Sequence, residues 1–383
     1  MKLQCSLVFY IGNGVVKGAI VSHESNKPQI RTIRVRELPH YQERDREHLE
    51  KRILFEFGEL AHEIKTEDIL ALKGTSFKFV DATVILSSPW YISETSIIKM
   101  KEQKPFNITQ QLIDGALGNI VKAYRDSHRM DIAVLEQKMI KILLNGYPTN
   151  DPIKKKVTSL DLNIFTSFAR KSSIENINQI IDQYFHVKET NIHSQSLAAF
   201  SVIGSLWRDL NQYIITDITS QLTELVSVRK GILSEAASIP KGKQFLVKSV
   251  SNDLGVSTEV AESLLKMKST GHIEENLAKK VDTALLKAQK EWLKEFSDAL
   301  RVMSASSSLP NTFILFAPKD VTGIFSQFIQ AEEYQQFSFA EGKFEVKEVS
   351  VADLLPYCTI SPGTNQDLSI VLGSLFSKGS IKV

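Results

Sequence analysis

Residues 213–239, YIITDITSQLTELVSVRKGILSEAASI, constrain the fold more than any other stretch of this chain. An apolar run from Tyr213 to Thr216 ends on Asp217. A small polar turn follows, Thr219-Ser220-Gln221, and then a second apolar run over residues 222–228. Arg229-Lys230-Gly231 reverses the chain into a third run that reaches Ile239-Pro240. Runs this short, with tight turns between them, predict three adjacent strands. They also predict an acid at the end of the first strand.

The N-terminus follows a related plan. Residues 3–11 and 18–22 read as strands joined at Gly12-Asn13-Gly14, because Asn and Gly tolerate the positive φ of a hairpin turn. Residues 29–36 read as a third strand. A charged helix over about 43–65 carries Leu49, Ile53, Phe57, Leu60 and Ile64 at spacings of three or four. An apolar strand over 78–86 then ends at Ser87-Ser88-Pro89.

The block at about 91–168 reads as a small insert. Its order is a strand at 95–100, a helix from Asn107-Ile108-Thr109 to about Tyr124, and strands at 138–144 and 160–168. The turn-rich Asn145-Gly146-Tyr147-Pro148 separates the last two. A helix at 173–184, a strand at 186–192 and a helix at 194–210 lead back to the opening hairpins. Residues 256–303 read as helical almost throughout, 311–316 as a strand and 367–376 as a last helix. Periodicity by itself gives an α/β protein with several subdomains.

Bulk properties narrow the function classes. The formal net charge of +2 gives no electrostatic case for nucleic acid. No run of roughly 18 apolar residues is present, so no membrane-spanning helix is expected, and the short apolar start does not read as a secretory signal. Cys5 and Cys358 stand far apart, which fits a reducing, cytoplasmic setting better than a disulfide framework. The eight histidines show no metal-ligand spacing.

Three fragments carry a family resemblance. Asp217-Ile218 opens a hairpin like the second phosphate loop of actin-like ATPases, which usually reads Asp-Ile-Gly-Gly-Gly-Thr-Thr-Asp. Asn145-Gly146-Tyr147-Pro148, Asp151-Pro152-Ile153 and Leu160-Asp161-Leu162 follow one another as in a Tyr, Pro-Ile-Gly, strand segment. Ser238-Ile239-Pro240-Lys241-Gly242 through Val256-Ser257 to Ala261-Glu262 is similar to a Ser-Ile-Pro-x-Gly and Val-Ser-x-x-x-Ala-Glu sequence. Together they resemble the actin-fold family of the bacterial cell-division protein FtsA and the type IV pilus assembly protein PilM. The resemblance implies an actin-like (ribonuclease H-like) two-lobed fold with an SHS2-type subdomain inserted at 91–168. The first lobe would be 1–90 with 169–195 and 355–383, and the second lobe's core 211–255 and 304–354. Residues 256–303 would form the second lobe's helical subdomain.

The same resemblance implies a nucleotide cleft, but its chemistry has eroded at three loops. Tyr10 stands where the family has an acid near magnesium, although Gly12, Asn13, Gly14 and Lys17 remain. Thr219, Ser220 and Gln221 replace the second loop's glycines, whose bare backbone lets N–H groups approach phosphate. Asp217 and Glu224 still bracket that turn. Ala317-Pro318 replaces the third loop's Gly-Gly, and proline removes an N–H. The expectation is a pseudo-ATPase without a cofactor, and the alternative is an ATP and magnesium binder whose nucleotide controls polymerisation or partner binding. Gly12 and Gly14 also have a purely hairpin reading, and Asp217 reads as a turn residue as readily as an ion-facing relic.

The family's insert serves protein contacts, so function is expected in binding. The implied partner is a membrane-anchored assembly protein or its cytoplasmic peptide, with self-association as a further implication and nucleic acid excluded. Tyr147 and Pro148 are the candidate contact residues, although Tyr147 also reads as a cover for the edge of the insert's core. The chain shows no amphipathic helix after residue 377, which favours recruitment to the inner face of the membrane through a partner. Cell division and pilus or secretion machinery both remain open. Lys154-Lys155-Lys156 reads as a solvated turn or a contact for anionic lipid. His193-Ser194 with Asp209 lacks a nucleophile elbow and is not read as a hydrolase site.

Overall fold

The computed structural model describes residues 3–23, 27–38, 46–71, 77–128, 131–305, 308–332, 337 and 343–377. Strands β1 (Leu3–Ile11), β2 (Val15–Ser22) and β3 (Gln29–Glu37) form an antiparallel meander. Helix α1 (Arg46–Glu63) continues through a π-helical turn into α2 (Ile69–Ala71). Strand β4 (Phe77–Leu86) then returns parallel to β1.

The insert leaves at β5 (Tyr91–Asn107) and proceeds through α3 (Gln110–His128), β6 (Ile132–Leu144), β7 (Tyr147–Pro148) and β8 (Lys156–Arg170). These strands make a four-stranded sheet in the order β5-β8-β6-β7. The chain re-enters the first lobe through α4 (Lys171–Phe185), β9 (Thr190–Ser194) and α5 (Gln195–Leu206).

The 213–239 segment forms the meander its sequence predicts, as β10 (Gln212–Ile218), β11 (Thr223–Arg229) and β12 (Ile232–Ile239). Helices α6 (Lys243–Leu254), α7 (Thr258–Ser269) and α8 (Glu275–Ser304) follow, then β13 (Thr312–Phe316), α9 (Thr322–Gln330) and β14 (Glu345–Glu348). The described chain closes with α10 (Val351–Leu354), β15 (Thr359–Ile360) and α11 (Leu368–Ser377).

The two larger sheets repeat one plan. Strands β3-β2-β1-β4-β9 and β12-β11-β10-β13-β14 share order and direction, with β15 added at the edge of the first. In each, an antiparallel meander supplies the central strand and two parallel strands continue beyond it. Both faces of the central strands are covered, which explains why β1 and β10 read as unbroken apolar runs. Along β1, Cys5, Leu7, Phe9 and Ile11 point to the α1 and α4 side, while Val8 and Tyr10 point to the layer shared with the second sheet. Along β10, Ile214 and Ile218 meet the cluster of α6, α8 and α9, whereas Tyr213 and Ile215 face the shared layer. Helices α5 and α11 fill that layer, through Leu197, Phe200, Val371 and Leu375.

Element existence follows the sequence reading better than element length. The expected strand at 95–100 is only the middle of β5, whose outer half is too charged to read as apolar. Helix α5 stops at Leu206 rather than residue 210, where Trp207 leaves helical geometry. The helical block begins at Lys243, not 256, because α6 is short and its apolar face is only Leu246, Val247 and Val250. The strand expected at 186–192 forms instead at Thr190–Ser194, after His186 ends α4 in the left-handed region at φ 47°.

Candidate functional site

Tyr10 and Asp217 occupy matching positions, each next to last in the central strand of its sheet. Beyond them lie the two hairpin turns. In the first, the Gly12 N–H donates to Val15 O at 2.9 Å, and Trp90 Nε1 donates to Gly12 O at 2.9 Å. The Tyr10 ring folds over Gly12: a Cβ built there would lie 2.8 Å from Tyr10 Cε1. Gly12 therefore serves close packing against an aromatic ring. Gly14, at φ 108°, needs its missing side chain for conformation. Asn13 is buried, and no donor among the described residues reaches its Oδ1. Lys17 is the cross-strand neighbour of Tyr10, and its Nζ lies 5.1 Å from the ring centroid. That ammonium is engaged by Asp367 at 2.7 Å and Ser369 at 3.2 Å, at the start of α11.

The second turn closes on itself. Thr219 N and Oγ1 both donate to Leu222 O, at 2.9 and 3.0 Å, and Leu222 N donates to Thr219 Oγ1 at 3.2 Å. Its carbonyls face the start of α6, where Lys243 N donates to Thr219 O at 3.0 Å and Gln244 N to Ser220 O at 2.8 Å. Helix N–H groups that could meet an anion are thus spent on the turn itself. Gly242 permits that approach, since a Cβ there would fall 2.4 Å from Thr219 O. The two turns also meet each other: a Cβ on Gly14 would lie 3.2 Å from Ser220 Oγ.

Two buried acids sit beneath the turns. Asp217 and Glu224 are directly opposite in the β10–β11 register. Glu224 is held by the first residue of the insert and the start of α5. Tyr91 OH donates to its Oε2 at 2.8 Å, and Ser196 Oγ to its Oε1 at 3.4 Å. Asp217 Oδ2 accepts from Ser87 Oγ at 3.4 Å. Burial pushes both carboxyls up to about 7, opposed at Asp217 by the positive charge of Lys17 and reinforced at Glu224 by the charge of Asp217. Burial likewise raises the phenols of Tyr10 and Tyr91, so both stay neutral. Sequence reading finds the pair of acids but misses Tyr91 and Ser196, which lie far from them in the chain and carry no local motif.

The third loop is occupied by its own contacts. Pro318 O accepts from Val321 N at 2.9 Å and Thr322 N at 3.1 Å, starting α9. Lys243 binds Asp320 at 2.8 Å and also pairs with Glu262, tying α6 to α7 and to this loop. The Tyr10 ring lies over the first turn, and the two turns approach each other at Gly14 and Ser220. Among the described residues, no group of three or more His, Cys, Asp or Glu is placed to hold a metal ion.

The remaining sequence candidates fall elsewhere. Tyr147 is 77% exposed and Pro148 is exposed, so the tyrosine does not cover the insert's core. The polar face of α3 is outward, while Ile113, Ala116, Ile120 and Tyr124 cover the insert's sheet. Ser194 is fully buried and caps α5, donating to Glu136 Oε1 at 2.5 Å, and His193 Nδ1 lies 3.1 Å from Glu136 Oε2. The pair fastens the insert to the first lobe and presents no nucleophile. No helix among the described residues is long and apolar enough to cross a membrane.

No protein-family model matches the sequence, and no curated protein sequence matches it. Solved structures do. A chain of a PilM–PilN type IV pilus biogenesis complex is 13% identical, with 98% of each chain covered and a TM-score of 0.62. The MamK double helical filament is 10% identical over 98% of each chain at 0.49. The ethanolamine utilization protein EutJ from Carboxydothermus hydrogenoformans is 12% identical, covering 97% of this chain and 89% of its own, at 0.45. The chain has the actin-like ATPase fold.

Proposed function

From that fold and the close packing at its two turns, we propose that the chain is a non-catalytic actin-fold scaffold that works by binding protein. The observation that carries this reading is the Tyr10 ring packed on Gly12 beside the Gly14–Ser220 contact. Phosphate loops function through unobstructed backbone donors, and here aromatic carbon and a serine side chain take that space. Turnover would require both hairpins to separate and Tyr10 to leave its buried place.

The setting we propose is a pilus or secretion-type assembly at the inner face of a membrane, reached through a partner. Its support is the full-length likeness to a chain of a pilus biogenesis complex. The insert offers contact material, because Ile92 is 51% exposed, Ile97 59% and Met139 42%. A few exposed apolar anchors within a polar surround are the usual composition of a peptide-binding surface. The test is titration with the cytoplasmic segment of a single-span assembly protein encoded beside this chain. Binding is expected with equal affinity with and without magnesium-ATP, and weakened at least tenfold by Ile97→Glu. Binding that requires the nucleotide, or ignores the insert, would overturn the proposal.

A further inference from the structure

We propose that the far end of the insert's sheet contacts an anionic lipid surface. Strands β5 and β8 leave the body at Tyr91 and Arg170 and run together to Asn107 and Lys156. Strand β8 is 15 residues long, so at about 3.3 Å per residue that end stands roughly 50 Å from where the strands leave the body. Three segments converge on it: the irregular stretch of β5 between Lys101 and Phe106, the start of β8, and the Asn145-Gly146 turn. Asn145 Oδ1 locks the last two together, accepting from Thr158 N at 3.0 Å and Ser159 N at 2.9 Å.

Lys101, Lys104, Lys154, Lys155 and Lys156 are all exposed there. None of the five forms an ion pair among the described residues; Lys155 Nζ donates only to Thr149 Oγ1, at 2.9 Å. Glu102 and Asp151 are the acids within the same loops. The local excess of lysine is larger than the +2 net charge of the entire chain, so the positive field is concentrated at this end. Tyr147, 77% exposed, projects from the adjoining turn.

Placement favours lipid over an acidic peptide. The lysines sit on loops at the end of a sheet, spread over separate segments rather than along one strand edge. A fluid layer of phosphates conforms to such an end, each nearby lysine adding roughly 1 kcal/mol of attraction to an anionic leaflet. An exposed tyrosine beside them suits the headgroup region, where its ring is partly buried and its hydroxyl stays wet. Tyr147 then meets lipid, and the protein partner is left the sheet nearer the lobes. The lipid contact does not depend on the state of the cleft.

The test is co-sedimentation of the full chain with vesicles of phosphatidylglycerol and phosphatidylcholine, against phosphatidylcholine alone. Binding is expected only to the anionic vesicles and should weaken as salt rises. The triple variant Lys154→Gln, Lys155→Gln, Lys156→Gln should lose at least tenfold in affinity, and Tyr147→Ser should lose less. Neutralising Lys266, Lys280 and Lys290, exposed lysines of α7 and α8, should leave binding unchanged. Absence of binding at low salt, or equal loss in both triple variants, would overturn the inference. So would polyglutamate binding as tightly as the vesicles and competing with them, which would make the end a site for acidic protein.

Discussion

At the scale of single residues, the cleft is defined by what stands in for charge. Tyr10 supplies a ring where an ATPase of this fold needs a carboxylate, and the ring's burial removes the space above Gly12. Asp217 and Glu224 survive, but as a buried cross-strand pair held by Ser87, Tyr91 and Ser196. Like charges directly opposite on neighbouring strands destabilise a sheet, so the pair is best tolerated with a proton retained. Both groups titrate near 7 in the native state, against about 4 in an unfolded chain. The native state therefore binds more protons between those values, and stability falls as pH rises from about 4 toward 7. Asp217→Asn should flatten that fall and raise the melting temperature at pH 8, a difference on the order of a few kcal/mol. Melting curves across pH 5 to 8 check it. A variant less stable than the parent at pH 8 would show that Asp217 is stabilised as an anion by Lys17.

Among elements, the second turn and helix α6 act as one piece. The Gly242 backbone approaches Thr219 so closely that any side chain must push the turn away. Gly242→Ala should cost about 2 kcal/mol or more, as overpacking against rigid backbone does. Gly118→Ala, exposed within α3 and with nothing within 4 Å, should instead stabilise by up to about 1 kcal/mol. Chemical denaturation of both variants measures the contrast, and equal effects would refute the close approach. The sequence made these hairpins legible because their turn residues and apolar runs are local. Strand β14 and helices α9 and α10 escaped it, being short segments fixed by packing on β13 and α11. The latch of Glu136 on His193 and Ser194 was also hidden, because it joins elements 57 residues apart. Glu136→Ala should lower stability and loosen the insert, while Glu136→Gln should preserve most of the Ser194 contact. Hydrogen exchange in α5 and β6 would distinguish the two, with the alanine variant exchanging faster.

Across the whole molecule, the repeated sheets and the shared layer of α5 and α11 make the actin-like architecture. The sequence carried the family resemblance through order rather than strong motifs, and the matching strand order of the two sheets agrees with it. What the sequence could not supply was the filling of the cleft. Loss of an acid and of glycines says nothing of the space left, and the proposal of a closed cleft rests on the packing of Tyr10 on Gly12 and the approach of Gly14 to Ser220. The most direct measurement is the melting temperature with and without magnesium-ATP at millimolar concentration. A ligand present at about 100 times its dissociation constant stabilises the native state by about 2.7 kcal/mol, which would raise the melting temperature by a few degrees. The filled cleft predicts no shift. A saturable rise of several degrees that needs magnesium would contradict it.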